Sequence, residues 1–194
     1  MTDLQVAAPR RRLRSDDRRH QLLDTAAALV VADGAGSLSM ERLAAAAGVS
    51  KALPYKHYDN IDAVLVDLYR REVRGLGTAV WAAMRAAPTR RALTRTAIGA
   101  YFDELERRRD VLAALTGPGS TVAAGAGTDR VGVAFEADVL VEFSGLERSR
   151  AEELAGIVQG AIVGAAGVWL GGRGRRQQLE DDLVWLIDGL LRRR

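Results

Sequence analysis

Apolar residues recur at three- and four-residue spacing through most of this chain, the period of helices with one buried side. Leu22, Ala26, Leu29 and Val30 mark a first helix. Ser15, Asp16 and Asp17 suit its start, because a hydroxyl and acids offset the free N–H groups and the positive dipole end. Gly34 and Gly36 stop it. Ser39 is placed to cap a short second helix through Met40, Leu43, Ala44 and Ala47. Gly48 breaks that helix, and Ser50 is placed to cap a third short one ending near Tyr58. Ile61, Val64, Leu65, Leu68 and Val73 stripe a fourth, which continues past Gly75 and Gly77 towards a boundary at Pro88 and Thr89. A helix over about 90–108 carries Leu93, Ala97, Tyr101 and Leu105, and a short segment runs over 110–115. Residues 116–128 read as a glycine-rich loop. Three further helices are predicted over about 130–143, 148–170 and 177–192. Strand-like alternation never exceeds a few residues, and no segment repeats. The prediction is an all-α fold of about nine helices.

Composition narrows the function classes. At 194 residues, 48% apolar and 27% charged, the chain can bury a real core, which excludes wholesale disorder. No uncharged apolar run is read as reaching the roughly 18–20 residues of a membrane span, so no membrane partner is expected. The basic N-terminus lacks the apolar stretch of a secretory signal. There is no cysteine, which removes disulfide frameworks, zinc ribbons and thiol nucleophiles and fits a reducing cytosol. With His20 and His57 as the two histidines, metal sites built on several histidines are out as well. The acidic runs Asp103-Glu104, Glu152-Glu153 and Glu180-Asp181-Asp182 lie on predicted helices, where neighbours point about 100° apart, so they read as solvated faces. Gly125 and Gly127 lack the context of a phosphate loop. No catalytic residue, cofactor or metal is predicted.

The net charge of +3 matters less than where the charge sits. Arg10, Arg11, Arg12, Arg14, Arg18 and Arg19 crowd the N-terminus, and residues 1–14 read as a flexible basic arm. Lys51 and Lys56, the two lysines of the chain, flank the third helix beside His57. The segment from Ser39 to Tyr58 meets the needs of two short helices joined by a tight turn. Ala44 is small where the helices cross. Gly48 can take a left-handed conformation without a Cβ clash. Leu43 and Val49 are apolar and plug the angle. This is helix-turn-helix geometry, in which the second helix lies in the major groove of DNA.

Over residues 17–74 the chain resembles the TetR family of bacterial transcriptional regulators. The resemblance rests on Ala32-Asp33-Gly34-Ala35-Gly36, Leu38-Ser39-Met40, Leu43-Ala44, Ala47-Gly48-Val49-Ser50-Lys51 and Tyr55-Lys56-His57-Tyr58 at unbroken spacing. It implies a basic arm (1–14), a helix-turn-helix DNA-binding domain (15–60) and a helical ligand-binding and dimerisation domain (61–194). Three positions depart from the family pattern. Pro54 stands where an apolar residue is usual and lacks the N–H that would bond back to Ser50. Asn60 stands where a phosphate-contacting lysine is common, and Ile61 replaces an acid.

Chemistry and resemblance together give an expected DNA-binding set of Ser39, Ser50, Lys51, Ala52, Leu53, Tyr55, Lys56 and His57. The lysines can neutralise phosphates or reach guanine O6 and N7. Tyr55 and His57 can donate to phosphate oxygens. Ser39 can present its hydroxyl and the N–H groups of a helix start. Ser50, Ala52 and Leu53 sit early in the helix, where a thymine methyl can be touched. Tyr58 is read instead as packing against the first helix. The arm Arg10–Arg14 reads either as a minor-groove contact or as an untethered tail.

One such head reads few base pairs, so a homodimer on a palindromic double-stranded operator is expected. Leu154, Ile157, Val158, Ala161, Ile162, Ala165, Val168 and Trp169 form one broad apolar surface; Leu179, Leu183, Leu186, Ile187 and Leu190 form another. Part of each must be intrachain core, and the remainder can build a four-helix interface in which Gly156, Gly160 and Gly164 permit close approach. The resemblance implies a small-molecule inducer, expected to be apolar or aromatic. Trp81, Met84, Tyr101, Phe102, Phe135 and Trp169 are its candidate lining, each also readable as plain core. Repression relieved by ligand is the expected mode. A helical adaptor for protein partners is the competing reading, and it leaves the helix-turn-helix spacing unexplained.

Overall fold

A computed structural model describes residues 15–89, 92–117, 122 and 130–192. The described residues form nine α-helices and no strand: α1 (Ser15–Asp33), α2 (Met40–Ala46), α3 (Ala52–Tyr55), α4 (Ile61–Arg85), α5 (Leu93–Arg107), α6 (Arg109–Thr116), α7 (Arg130–Ser144), α8 (Arg148–Leu170) and α9 (Arg176–Arg192). The all-α prediction holds. The arm at 1–14 and most of the glycine-rich loop lie outside the described residues.

The N-terminal helices close around Leu22, Ala26 and Val30 of α1, Leu43 of α2, and Val64, Leu65 and Leu68 of α4. Leu115 of α6 and Val122 complete this core. The first three turns of α4 therefore belong to the head, while Val80 and Met84 at its far end pack beside α7. Gly75 and Gly77 leave α4 unbroken, and Gly75 makes room for Arg108: a Cβ at Gly75 would lie 2.5 Å from the Arg108 guanidinium. Arg108 bridges Glu72 of α4 and Glu104 of α5, and Arg71 carries the chain of ion pairs on to Asp24 of α1. Burial would push the Glu104 carboxyl up, but hydrogen bonds from Arg107 and Arg108 outweigh it and hold the group below its ordinary value.

Helices α7, α8, α5 and α9 form the C-terminal bundle, with α8 packed on α7 and α9 packed on α5 and α8. Here one expectation needs correcting. Residues 154–172 carry no charge, and by length and composition α8 could cross a membrane. The run includes Gln159 and five glycines up to Gly171, yet holds no charged residue. In the fold, α8 is a bundle helix that buries Ala151, Leu154, Ala155, Val158, Ile162 and Ala166 along one side.

A second correction concerns α3. Lys51 occupies its cap position and no side chain caps it, so the Ser50 hydroxyl does not play the role expected of it. Pro54 explains why. It cannot donate to the Ser50 carbonyl, which accepts instead from Leu53 N–H at 2.9 Å, and the helix starts with a tighter turn. The proline ring is fully buried against the head. The Ser39 cap does form, its hydroxyl oxygen accepting from Arg42 N–H at 3.2 Å.

The end of α3 is fixed by a polar cluster in which Tyr58 and Asp67 are buried and Arg19 lies at the surface. The Tyr58 hydroxyl donates to Asp67 Oδ2 of α4 at 2.7 Å, and Arg19 Nε of α1 donates to the same oxygen at 2.9 Å and to the Tyr58 oxygen at 3.2 Å. Burial first, then the adjacent Asp67, pushes the phenol up to about 12. Burial also works against the Asp67 carboxylate, but the bonds from Tyr58 and Arg19 hold its pKa below the usual value. A carboxyl lowered on folding contributes its full stability above its unfolded pKa of about 3.9 and loses it as pH falls through the folded value. Asp67→Asn is expected to cost about 1–2 kcal/mol near neutral pH, where two charge-assisted bonds are weakened. Urea titrations should show that gap narrowing towards about pH 3 as the parent protonates; a gap independent of pH would contradict the assignment.

Candidate nucleic-acid interface and helical cavities

The turn between α2 and α3 sets the direction of everything after it. Gly48 has φ +64, the left-handed conformation anticipated for it. Its N–H bonds to the Ala45 carbonyl at 3.1 Å, and Val49 N–H bonds to the Ala44 carbonyl at 3.0 Å. This nested pair closes the C-terminus of α2, and Val49 packs back onto the head core. From α1, Gln21 Nε2 donates to the Ala47 carbonyl at 3.1 Å and ties the turn down.

The segment that follows is two-sided. Pro54 and Tyr58, four residues apart, are buried in the head. The other side carries Ser50, Lys51, Ala52, Tyr55 and Lys56, all exposed, with Leu53 and His57 half-buried at its margins. Tyr55 leaves 53% of its surface open, unusual for an aromatic residue on so small a head. Neither lysine is held in an ion pair among the described residues. Ser39 is half-buried at the start of α2, its oxygen already engaged as the cap and its hydroxyl hydrogen still able to donate outward. All eight sequence-predicted positions thus lie on or beside the α2–α3 unit. Chemically this surface offers two cations, hydroxyls and a small apolar spot on a convex ridge that fits a groove edge.

Asn60 has a role the sequence reading did not find. Its Oδ1 accepts from Ala63 N–H at 2.9 Å and caps α4, a contribution of about 1 kcal/mol for such residues. Arg19 and Asp67 were missed as well. The available signal was Asp67 itself, an acid inside the Val64–Leu65–Leu68 apolar stripe.

The C-terminal bundle holds two neighbouring cavities. One, of about 250 Å³, lies among α4, α5, α7, α8 and α9 and is lined by Met84, Tyr101 and Phe143 among mainly aliphatic side chains. The other, of about 550 Å³, runs along α4 beside Trp81. Val80, Tyr101 and Glu136 line both. Of the expected lining residues, Trp81, Met84 and Tyr101 therefore face cavity space. Phe102 and Trp169 line neither of these two cavities: Phe102 is fully buried and meets Trp169 edge-on at 5.7 Å within the α5–α8–α9 core. Phe135 belongs to α7, but its side chain lies outside the described residues. Sequence reading missed Glu136. Burial pushes its carboxyl up to about 7, and burial likewise raises the Tyr101 phenol.

Residues 22–68, which hold the head core and the α2–α3 unit, match the family model of bacterial regulatory proteins, tetR family. The HTH-type transcriptional activator FasR of Mycolicibacterium smegmatis is 32% identical over 165 residues, covering 82% of this chain and 75% of that protein. Two solved structures share the fold at lower identity. A tetR-family transcriptional regulator from Streptomyces coelicolor has a TM-score of 0.67 at 23% identity, with 92% of this chain and 82% of that one covered. The fatty acid degradation regulator FadR from Bacillus halodurans has a TM-score of 0.63 at 17% identity, with 92% and 97% covered. The similarity to FasR spans most of both chains, and the family model covers the head with its outward third helix: the chain belongs to the TetR family of bacterial regulatory proteins.

Proposed function

We propose that this protein is a homodimeric transcriptional regulator that grips a palindromic operator through α3 and lets go when a small molecule enters the C-terminal bundle. The observation that carries the reading is the two-sided α3: Pro54 and Tyr58 hold it from within, while Lys51, Tyr55 and Lys56 stand free on the outside. Lys51 and Lys56 neutralise phosphates and reach base edges, Tyr55 and His57 donate to phosphate oxygens, and Ser39 supplies the contact at the start of α2. Ser50, Ala52 and Leu53 meet bases at the entry to the groove. The work is cytoplasmic, and no enzymatic step or cofactor is assigned.

Support for the dimer comes from α8 and α9. The side of α8 turned away from the core carries Ile157 at 54% exposure and Val163 at 46%, interleaved with exposed Gly156, Gly160, Gly164 and Gly167. A Cβ at any of these four glycines would meet nothing within 4 Å, so the surface is open and flat enough for another helix to approach closely. Trp185 of α9 is 75% exposed. An apolar patch of this kind is a docking surface, and the twofold arrangement places two α8–α9 pairs together as a four-helix interface.

Ligand control follows from α4, whose 25 residues span about 37 Å. Val64, Leu65 and Leu68 are embedded in the head, and Val80 and Met84 line the cavity. A ligand that displaces the distal turns moves the head with them, and it favours the dimer geometry whose heads no longer match the half-site spacing. FasR carries the name of an activator. Repression is retained as the proposed sign here, to be read from a promoter–reporter fusion with the protein present and absent. Either sign uses the same grip on DNA.

Two variants test the reading. Lys51→Ala with Tyr55→Ala is expected to weaken specific duplex binding at least about tenfold, with the melting temperature unchanged because both side chains are exposed. Unaltered affinity would remove these residues from the interface. Val163→Arg, which sets like charges on the proposed twofold, is expected to yield monomers by light scattering and to lower operator affinity by a similar factor; an intact dimer would place the interface elsewhere.

A further inference from the structure

The smaller cavity is chemically one-sided. Its walls are mainly aliphatic and aromatic, with the hydroxyls of Thr94 and Ser144, and among the described residues the ionisable groups that line it are Glu136 of α7, Asp188 of α9 and the Tyr101 phenol of α5. Among the described residues, no lysine, arginine or histidine lines it. Asp188 is already served, since Thr94 Oγ1 donates to its Oδ1 at 2.7 Å. Glu136 has no hydrogen bond or ion pair among the described residues, and it stands at the wall shared with the larger cavity. The arginines of the larger cavity, Arg74 and Arg85, are exposed on α4, and Arg85 lies over the Trp81 ring, 5.4 Å from its centroid.

An unpartnered carboxyl in an apolar cavity costs stability when ionised and gives nothing to packing. Such a group is a mark of a binding site, because a ligand of opposite charge repays its desolvation. Tyr101 and Phe143 add aromatic faces to the same space, which attract cations and repel anions. A carboxylate headgroup placed there would meet Glu136 and Asp188 and find no counter-ion among the described residues.

We propose that the cavity between α4, α5, α7, α8 and α9 takes an amphiphilic organic monocation, an alkyl or aryl ammonium whose charged end pairs with Glu136 and whose apolar end fills the aliphatic walls. The inference rests on the reading of this bundle as the ligand site of a regulator. It adds the charge of the ligand and the residue that selects it.

Binding is measured by titration calorimetry on the full chain, without DNA, using decyltrimethylammonium, decanol and decanoate below micelle formation. At about pH 8 the ammonium is expected to bind at least about tenfold more tightly than either of the others. Glu136→Gln should abolish that preference and leave decanol binding unchanged. Because the Glu136 carboxyl is raised to about 7, ammonium affinity should decline from about pH 8 to about pH 6 as the proton competes. Asp188 and Tyr101 face the same cavity from α9 and α5, Arg74 and Arg85 face the adjoining larger cavity from α4, and Asp188→Asn serves as the control for the other carboxyl of the smaller cavity.

Folding gives a second readout. A carboxyl raised on folding contributes stability below its unfolded pKa and loses it as pH rises through about 7, so Glu136→Gln should melt higher than the parent at about pH 8 and equal to it at about pH 5. Tighter binding of decanoate, equal binding of all three probes, binding of none, or a preference that survives Glu136→Gln would overturn the inference. Operator binding is assayed separately on the same variant. Intact DNA binding with no ammonium preference defeats this inference alone, whereas DNA binding indifferent to Lys51 and Tyr55 defeats the regulator reading alone.

Discussion

A helix of four residues has no stability of its own in water. The direction in which Lys51 and Tyr55 point is therefore decided by what α3 is fastened to. On one side the fastening is the Gly48 turn, whose two nested hydrogen bonds end α2 and release the chain at a set angle. On the other it is the Tyr58 hydroxyl, held by Asp67 of α4 and Arg19 of α1. Pro54 fills the space between, contributing a buried ring and removing a donor that would otherwise compete for the Ser50 carbonyl. The exposed face of α3 is thus a consequence of its buried one.

The same fastening links the head to the bundle. Asp67 lies on α4, and one turn or so beyond it Glu72 accepts from Arg71 and Arg108. Arg108 sits at the junction of α5 and α6, and α6 returns to the head through Leu115. A rotation of α4 in the bundle must be absorbed at these buried carboxylates or passed on to α3. Close packing and directional ion pairs favour discrete arrangements over continuous bending, which is the property a ligand-driven switch needs.

What could be read from the sequence was local. The Ser39 cap, the left-handed Gly48 and the continuity of α4 through two glycines all depend on residues within a turn or two, and each stands in the fold. The Ser50 cap failed because the consequence of Pro54 was traced to a lost bond and not to the carbonyl's next partner. The uncharged stretch of α8 is long enough to span a membrane by composition, and only its packing in the bundle shows it as a core helix. The surroundings of Asp67, Glu72 and Glu136 are not legible in the sequence for a different reason. A carboxylate on an amphipathic helix is solvated unless something distant covers it, and the covering groups lie tens of residues away, as Arg19 does for Asp67 and Arg108 for Glu72.

The account stands or falls on α3 facing a duplex in two copies related by a twofold axis. Selection from random-sequence duplex DNA with the full chain, followed by sequencing of the retained fraction, addresses this directly. The result predicted is enrichment of an inverted repeat whose two half-sites face the same side of the double helix, with retention falling steeply as salt is raised. A pool that stays random, or that converges on a single unpaired half-site, would contradict it.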